Sequence, residues 1–472
     1  MSRPRSGDPE ADRTASTATP EGDDRDGGGI PAETPPGPEG LPVLGNALSL
    51  VRDPRRFYEE MSEYGDVVSY SIPRLEFVTL LHPDLVERVL LTDHERFGKF
   101  GFEELGGEFA SEGLLLAEGE QWRRQRTTIQ NAFTMDRIRG YGDAMAGYTQ
   151  RMIDGWVDGE AVSINDEFSR LTLQVLVHSL FDIDLGREAD LVREFATTVN
   201  DRGSLDGVST FIPMWVPTPE NRRYRRVLED FRSFVEELID ERRGRAGEYD
   251  DILSLLLTAE DEDGRTMSEV ELRDQMATFL FAGHETTSLA LTFTMLAVAQ
   301  RDDVRERLDE EYATVLDGSP PDPEQVPRLE YTDRVIQESL RLYPPAFILF
   351  REAREDVELG GYRVPEGTKV TLPQFHIHTD ERWYDDPMAF DPDRWTDGFE
   401  ESLPDYAYFP FGGGPRHCVG MRFAMLELKT VLPTLLQQVE FDLLSDPDPE
   451  LDMALTLRPA EDVRMRVGKR QR

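Results

Sequence analysis

Apolar residues recur at helical spacing in the segments 57–64 and 83–91, near the start of the chain. The intervening stretch 66–81 instead carries runs of Val, Tyr, Ile, Phe and Thr that are typical of β-strands. Beyond Gln121 the helical pattern prevails through the middle of the chain, and the pattern becomes extended again at 350–372, with a turn predicted at Gly360 and Gly361. We find no internal repeat. The pattern predicts a mainly α-helical protein with small β-sheets.

The longest predicted helix runs from Ser268 to about Gln300 without a proline. The Ser268 hydroxyl can cap its first turn while Glu271 reaches back to complete a capping box. The second half of this helix is apolar enough to raise the alternative of a transmembrane segment. That alternative fails because His284 and Glu285 fall in its middle, where ionisable groups are costly in lipid. We therefore predict a central buried helix and no transmembrane segment.

The first 34 residues mix Asp, Glu, Gly, Pro, Ser and Thr with almost no large apolar side chain. This composition predicts a disordered acidic tail, and it lacks the apolar core of a secretory signal. The proline-rich run 35–42 is unsuited to a helix or a central strand and indicates the entry to the folded part. The sequence therefore predicts a disordered tail at 1–34 and a folded domain at 35–472.

Acidic side chains outnumber basic ones, 93 against 52, which gives a formal net charge of −41. Such a surface repels nucleic-acid backbones and anionic membranes, so no nucleic-acid partner is expected. An acidic surface with little lysine suits concentrated salt, where screening weakens self-repulsion. We therefore expect a protein from a halophilic archaeon, with an ordinary acidic protein as the alternative. The few lysines are Lys99, Lys369, Lys429 and Lys469.

The chain contains a single cysteine, Cys418. One cysteine excludes an intramolecular disulfide and any multi-cysteine zinc or iron–sulfur site. The sequence therefore gives no sign of an oxidising compartment, and we expect a cytoplasmic protein.

Cys418 follows three glycines, a proline and an arginine, and it precedes a predicted helix at 421–439. A helix N-terminus and nearby cations lower the pKa of a thiol, so we expect a thiolate stabilised here by Arg416 and His417. The glycines allow close backbone approach to a flat group, and they let amide N–H groups point at the sulfur. A lone cysteine is ordinarily a small buried hydrophobe, but such a residue needs no segment of this kind. The segment favours a functional thiolate.

This segment resembles the haem-binding loop of the cytochrome P450 family, with Cys418 at the position of the axial iron ligand. Three further segments resemble the family in the same order along the chain. Residues 282–287 match the oxygen-binding bend of its long central helix, 338–341 its Glu-x-x-Arg pair, and 390–395 the segment that supplies a second arginine. The resemblance implies contacts with haem b at Trp122, Arg126, Ala282, Gly283, Arg351, Phe411, Arg416, Cys418 and Gly420.

The residues around Gly283 allow two interpretations. Glycine supports the helical hydrogen-bond ladder poorly, so a local opening that admits water or dioxygen is one expectation. The other is that Thr286 only bonds back to a carbonyl of its own helix. The resemblance favours the functional interpretation, with Glu285 and Thr286 as the catalytic pair that delivers protons.

Glu338 and Arg341 lie one turn apart and share a helix face. Taken alone, they are typical of a solvated pair that contributes little to stability. With Arg394 added, the resemblance implies a buried ionic cluster that is structural and not catalytic.

The resemblance implies a single haem domain with the cytochrome P450 fold, which inserts one atom of dioxygen into an organic substrate. Electrons would come from a separate donor, a ferredoxin with its reductase, approaching a face where Arg123, Arg124, Arg416 and Arg422 gather. We expect a monomer. A hydrophobic substrate is expected because the positions that match the family's pocket walls are apolar. These are Phe102, Phe109, Leu115, Ala282, Phe347, Ile348, Leu349 and Leu455.

Three alternatives to the monooxygenase stay open at this point. A peroxide-driven hydroxylase would use hydrogen peroxide directly, and a haem-thiolate isomerase or dehydratase would need no electrons. The subgroups of the family that catalyse these two kinds of reaction usually depart from the acid–threonine pattern, which Glu285 and Thr286 keep. A haem sensor without enzymatic activity would need no open substrate pocket.

Overall fold

The structure is a computed structural model, and it describes residues 33–100, 110–184, 186, 188–203, 212, 214–249, 251–260, 264–396 and 398–470. The tail predicted at 1–34 lies outside the described residues, apart from Glu33 and Thr34. Helices dominate the described residues and the strands are short, as the hydrophobic pattern predicted. The predicted fold class, mainly α with small β-sheets, is confirmed.

Several helices begin where the sequence supplies a capping side chain. The Asp53 carboxylate accepts the Arg56 N–H at 3.0 Å, and the helix that it caps opens with a proline. The helices of the described residues are α1 Ala47–Arg52, α2 Pro54–Ser62, α3 Pro83–Glu87, α4 Gly119–Gln130, α5 Met135–Gly140, α6 Gly142–Gly155, α7 Ile164–Phe181, α8 Glu188–Gly203, α9 Pro219–Arg243, α10 Ile252–Thr258, α11 Glu269–Val298, α12 Asp302–Val315, α13 Glu330–Leu342, α14 Gln374–Ile377, α15 Phe399–Ser402 and α16 Met421–Leu436.

The strands of the described residues form four small sheets. They are β1 Val67–Ile72, β2 Leu75–Leu80, β3 Phe97–Gly98, β4 Ala161–Ser163, β5 Ile348–Ala353, β6 Val357–Leu359, β7 Tyr362–Val364, β8 Lys369–Pro373, β9 Val439–Leu443, β10 Leu451–Met453, β11 Leu457–Pro459 and β12 Arg464–Lys469.

The largest sheet has the order β1-β2-β8-β5-β3. Strands β1 and β2 form an antiparallel hairpin, and β2 then pairs in parallel with β8. This pairing joins the N-terminal hairpin to strands from the last third of the chain. The other sheets are β4-β12-β9 and the hairpins β6-β7 and β10-β11. Gly360 and Gly361 make the predicted turn between β6 and β7 with positive φ values of 57° and 86°, which glycine adopts without strain.

Helix α11 is the long central helix that the sequence predicts. Ser268 caps it, the Glu271 N–H donates to the Ser268 hydroxyl at 3.1 Å, and the Ser268 N–H donates back to the Glu271 carboxylate at 2.9 Å. The helix packs against α7, α13 and α16, which accounts for its nearly all-round burial. Among the described residues, no helix is long and apolar enough to cross a membrane.

The predicted ionic cluster is buried at the end of α13. The Glu338 carboxylate accepts two hydrogen bonds from Arg341, at 2.7 and 2.8 Å, and both side chains are fully buried. The Trp395 indole N–H donates to the same carboxylate at 2.8 Å, and the Arg394 Nε lies 3.5 Å from it. Arg341 also donates to three backbone carbonyls, so the cluster joins α13 to the segment 378–395. The expectation of a structural cluster is confirmed.

Candidate functional site

The loop before α16 follows a path that glycine permits. Gly412 and Gly414 have positive φ values of 69° and 61°, where other residues are strained. A Cβ on Gly414 would lie 1.8 Å from the Leu90 carbonyl oxygen, so the loop passes directly against this backbone. The Cys418 N–H donates to the Phe411 carbonyl at 2.9 Å and closes the loop. These contacts place Cys418 just ahead of the first turn of α16.

The backbone N–H groups of Gly420 and Met421, at the start of α16, favour the ionised form of the Cys418 thiol. The residue is exposed to solvent. Burial raises the pKa of the thiol, and the two N–H groups and the charge of Arg126 offset only part of that rise. The expectation of a pKa lowered by Arg416 and His417 is therefore wrong, because burial outweighs the local cations.

Arg351, which is buried, and Arg416, which is half-buried, form a basic cluster beside this loop. The pKa of each guanidinium is lowered to about 10, chiefly by burial, and the charge of Arg416 contributes to the lowering at Arg351. The Arg416 Nη2 donates to the Ala117 carbonyl at 2.9 Å, and its Nη1 is buried without a hydrogen-bond partner among the described residues. The guanidinium stacks over the Trp122 ring at 4.6 Å. The cluster carries positive charge and a hydrogen-bond donor without a partner among the described residues, so it can bind an anion.

Lys99 belongs to the same cluster, and sequence reasoning missed it. Burial, followed by the charges of Arg351 and Arg416, lowers the pKa of its ammonium well below the usual value. Glu118 opposes this effect, and its carboxylate also pairs with Arg354 at 2.8 Å. The scarcity of lysine in the chain was the signal that could have drawn attention to this residue.

Arg126 reaches the cysteine loop from α4. Its guanidinium donates to the His417 carbonyl at 2.8 Å and lies 3.0 Å from the ring Nε2 of the same residue. His417 also contacts the Gly414 carbonyl through Nδ1 at 3.0 Å. The residue beside the cysteine is thus engaged by its own loop and by α4.

Helix α11 is buried all round from Asp274 to Val298 except at four positions. Those positions are half-buried and lie on one face of the helix: Ala282, Gly283, Glu285 and Thr286. The helix is continuous here, so the predicted local opening is absent.

The two threonines of this segment bond within their own helix. The Thr286 hydroxyl donates to the Ala282 carbonyl at 2.7 Å, and the Thr287 hydroxyl donates to the Gly283 carbonyl at 3.1 Å. Gly283 serves helix packing, because a Cβ there would lie 2.8 Å from a Leu176 methyl of α7.

Glu285 is the perturbed acid of this face. Burial raises the pKa of its carboxyl to about 7, although the Thr456 hydroxyl and the charge of Arg458 act in the opposite direction. The Thr456 hydroxyl donates to Glu285 Oε1 at 3.0 Å, whereas Oε2 is buried without a partner among the described residues. Sequence reasoning missed Thr456, which lies far along the chain beside the expected wall residue Leu455.

The four arginines expected to form a donor-facing patch do not all reach the surface. Arg123 and Arg422 are exposed, and Arg123 pairs loosely with an exposed glutamate. Arg124 instead pairs with the buried carboxylate of Glu271, and Arg416 turns inward to the basic cluster. Only two of the four therefore lie on an accessible face. Of the expected pocket walls, Phe102 and Phe109 fall outside the described residues, and Phe347 is buried.

No cluster of three or more potential metal ligands occurs within the described ranges. A family model described as Cytochrome P450 matches residues 35–464, which include the cysteine loop and the α11 face. The chain belongs to the cytochrome P450 family. Its cysteine loop, basic cluster and central helix are therefore parts of one known architecture.

Relatives extend this cytochrome P450 assignment across nearly the whole chain. Pentalenene oxygenase of Streptomyces avermitilis is 34% identical over 440 residues, covering 92% of this chain and 97% of the relative. Cyclooctat-9-en-7-ol 5-monooxygenase of Streptomyces melanosporofaciens is 34% identical over 413 residues, covering 86% of this chain and 89% of the relative. The solved structure of cyanobacterial CYP120A1 with retinoic acid bound matches with a TM-score of 0.83 and 28% identity, covering 94% of this chain and all of that one.

These matches establish the fold and the class of enzyme. The cofactor of this cytochrome P450 is haem b, and the enzyme is a haem-thiolate monooxygenase. It acts on an organic substrate and dioxygen with electrons from a redox partner.

Proposed function

We propose that this cytochrome P450 hydroxylates a hydrophobic substrate of the terpenoid, steroid or fatty-acid kind, with a separate ferredoxin as electron donor. The observation that carries the reaction class is Glu285, an acid with a pKa raised to about 7 that shares the accessible face of α11 with Thr286. An acid that titrates near neutral pH can take up and release protons during turnover.

The site residues fit haem b. Cys418 would hold the iron, since the residue is exposed and two backbone N–H groups favour its ionised form. Arg351, Arg416 and the Trp122 ring would hold one propionate, because the buried Arg416 Nη1 has no hydrogen-bond partner among the described residues. Arg126 would reach the other from α4. Bound haem with a thiolate ligand supplies the chemistry that cleaves the O–O bond of dioxygen.

The remaining haem-facing positions are small or aromatic. Phe411 accepts the Cys418 N–H through its carbonyl and packs against the core beside the loop. A Cβ on Gly420 would lie 3.9 Å from the Cys418 sulfur, so this position borders the ligand directly. Ala282 and Gly283 present little side chain on the accessible face of α11. The small side chains of Ala282 and Gly283 would therefore allow a flat group to approach this face of α11 closely.

Glu285 and Thr286 would move protons at the reacting oxygen. The Thr286 hydroxyl donates to the Ala282 carbonyl, so its lone pairs remain free to accept a hydrogen bond from water or dioxygen-derived groups. The carboxyl group of Glu285 would supply the protons that this water passes on. The pair of Glu285 and Thr286 favours the monooxygenase over a peroxide-driven hydroxylase or an isomerase, because neither alternative needs a supply of protons for dioxygen.

The electron donor, compartment and assembly are part of the same proposal. We place residues 35–472 in one haem domain that works as a monomer in a salt-rich cytoplasm. The net charge of −41 and the rarity of lysine support the salt-rich setting. The exposed Arg123 and Arg422 support docking of an acidic ferredoxin on this face.

A two-stage experiment tests the function. Purified haem protein is first screened for substrate-induced shifts of its Soret band against terpenoids, steroids and fatty acids, with pentalenene included because a relative is named for it. Compounds that shift the band are then incubated with NAD(P)H, a ferredoxin and its reductase. Oxygenated product that needs all three components supports the proposal. Product formed with hydrogen peroxide alone, or conversion without electrons, would instead establish one of the alternatives.

A further inference from the structure

The turn between β10 and β11 reaches the acid of α11. Thr456 in this turn is buried, with 4% of its surface exposed, and its hydroxyl lies 3.0 Å from Glu285 Oε1. The two residues are 171 positions apart in sequence. The contact therefore depends on how the C-terminal hairpin docks against the central helix.

Asn200 of α8 fixes the same turn. Its side chain is fully buried, and its Oδ1 accepts the backbone N–H groups of Leu455 at 3.1 Å and Thr456 at 3.2 Å. The Thr456 hydroxyl lies 3.3 Å from the same oxygen. Because two N–H donors already occupy the two lone pairs of that oxygen, the hydroxyl proton is directed to Glu285.

The contact makes the two oxygens of Glu285 unequal. Oε1 is tethered by the Thr456 hydroxyl, while Oε2 is buried without a partner among the described residues. A carboxyl group held at one oxygen has a fixed orientation, and its other oxygen remains available to carry or release a proton.

The charges around Glu285 come from three elements. Arg458 of β11 bonds to Asp452 of β10 at 2.7 Å and to Asp201 of α8 at 2.9 Å. The positive charge of Arg458 lowers the pKa of Glu285, and the two aspartates raise it. The Thr456 hydroxyl is thus the uncharged group that stabilises the ionised form directly.

We propose that Thr456 is a positioning residue for the proton-delivering carboxyl of Glu285, and that Asn200 orients Thr456 for this role. The inference rests on the proposed function of Glu285, and it adds the two residues that orient the carboxyl group of Glu285. Removing the hydroxyl takes a hydrogen-bond donor from the carboxylate, so the pKa of Glu285 should rise by about one pH unit.

Infrared titration of the haem protein tests this inference without substrate. The carboxyl band that disappears in Glu285→Gln identifies the group, and its midpoint is followed with pH in wild type, Thr456→Val and Thr456→Ser. The midpoint should rise in the valine variant and stay at the wild-type value in the serine variant, which keeps the hydroxyl. An unchanged midpoint in Thr456→Val would overturn the proposal.

A double-mutant cycle adds a second measurement with pentalenene as the probe, a ferredoxin and its reductase. Thr456→Val should lower the product formed per NAD(P)H consumed, but it should add no loss in a Glu285→Gln background. Equal losses in both backgrounds would show that Thr456 acts independently of Glu285. A wild-type enzyme that oxidises neither pentalenene nor any compound that shifts its Soret band would count against the proposed function and leave the infrared result to decide the role of Thr456.

Discussion

At the residue scale, the thiol of Cys418 is the side chain on which the haem assignment depends. It is the only thiol in the chain, so replacing it removes every candidate for thiolate ligation. Reduced wild-type protein with carbon monoxide should show the red-shifted Soret band typical of thiolate-bound haem. Cys418→Ala should lose that band, and its optical spectrum checks this directly. A wild-type band of the histidine-ligated kind would contradict the assignment.

Thr286 allows a matched comparison on one helix. Thr286 and Thr287 both donate to a carbonyl of α11, but only Thr286 lies on the accessible face. In Thr286→Ala we expect continued NAD(P)H consumption, less product and more hydrogen peroxide, because the hydroxyl that would hold the proton-delivering water is lost. Thr287→Ala serves as the control and should leave the ratio of product to NAD(P)H unchanged. Identical ratios in both variants would remove Thr286 from the catalytic pair.

Sequence reasoning located Cys418 because its surroundings are local, with glycines and an arginine within a few positions. It missed Lys99 and Thr456 because their partners lie hundreds of positions away or on other elements. It also gave the wrong direction for the thiol pKa. Neighbouring cations can be read from a sequence, whereas the burial that outweighs them depends on how distant elements pack.

At the scale of elements, the cysteine loop depends on Gly414. A Cβ at this position meets the Leu90 carbonyl, and its positive φ is unfavourable for any other residue. We expect Gly414→Ala to cost about 2 kcal/mol or more of stability and to lower haem occupancy. The absorbance ratio of haem to protein and the melting temperature measure both effects. Gly140→Ala is the control, since a Cβ there meets nothing within 4 Å.

The ionic cluster joins α13 to the segment that follows β8. Arg341→Ala leaves the Glu338 carboxylate buried and without its main partner, which should cost roughly 3–5 kcal/mol. The exposed pair of Arg56 and Glu60 on α2 has a similar distance, 2.8 Å, and provides a control. Arg56→Ala should cost less than about 1 kcal/mol. Denaturant unfolding of both variants tests the contrast, and equal losses would show that burial adds nothing to the pair.

The elements themselves were largely predictable, because each follows from local periodicity and local caps. The strands at 67–80, the turn at Gly360 and Gly361, and the helix that begins after Ser268 all match their predictions. The local opening predicted in α11 does not match, because the helix is continuous there. The sequence shows that Gly283 weakens the helix, but it does not show that Leu176 of α7 fills the space beside it.

At the scale of the whole molecule, the net charge of −41 should make stability depend on salt. In dilute buffer the carboxylates repel one another over long distances, and few cations compensate. We expect the melting temperature to rise steeply between low and molar potassium chloride, and scanning calorimetry in a salt series measures it. Equal melting temperatures at both ends would remove the proposal of a salt-rich origin and leave the enzyme assignment unchanged.

The single accessible thiol also allows the haem content of a preparation to be measured by chemical labelling. Because Cys418 has no competing cysteine, a thiol-reactive dye can attach at one position only. If this sulfur holds the iron, it is protected from the dye in every molecule that carries the cofactor. The dye incorporated per chain would then count the fraction of each preparation that lacks haem, without any correction for other sites.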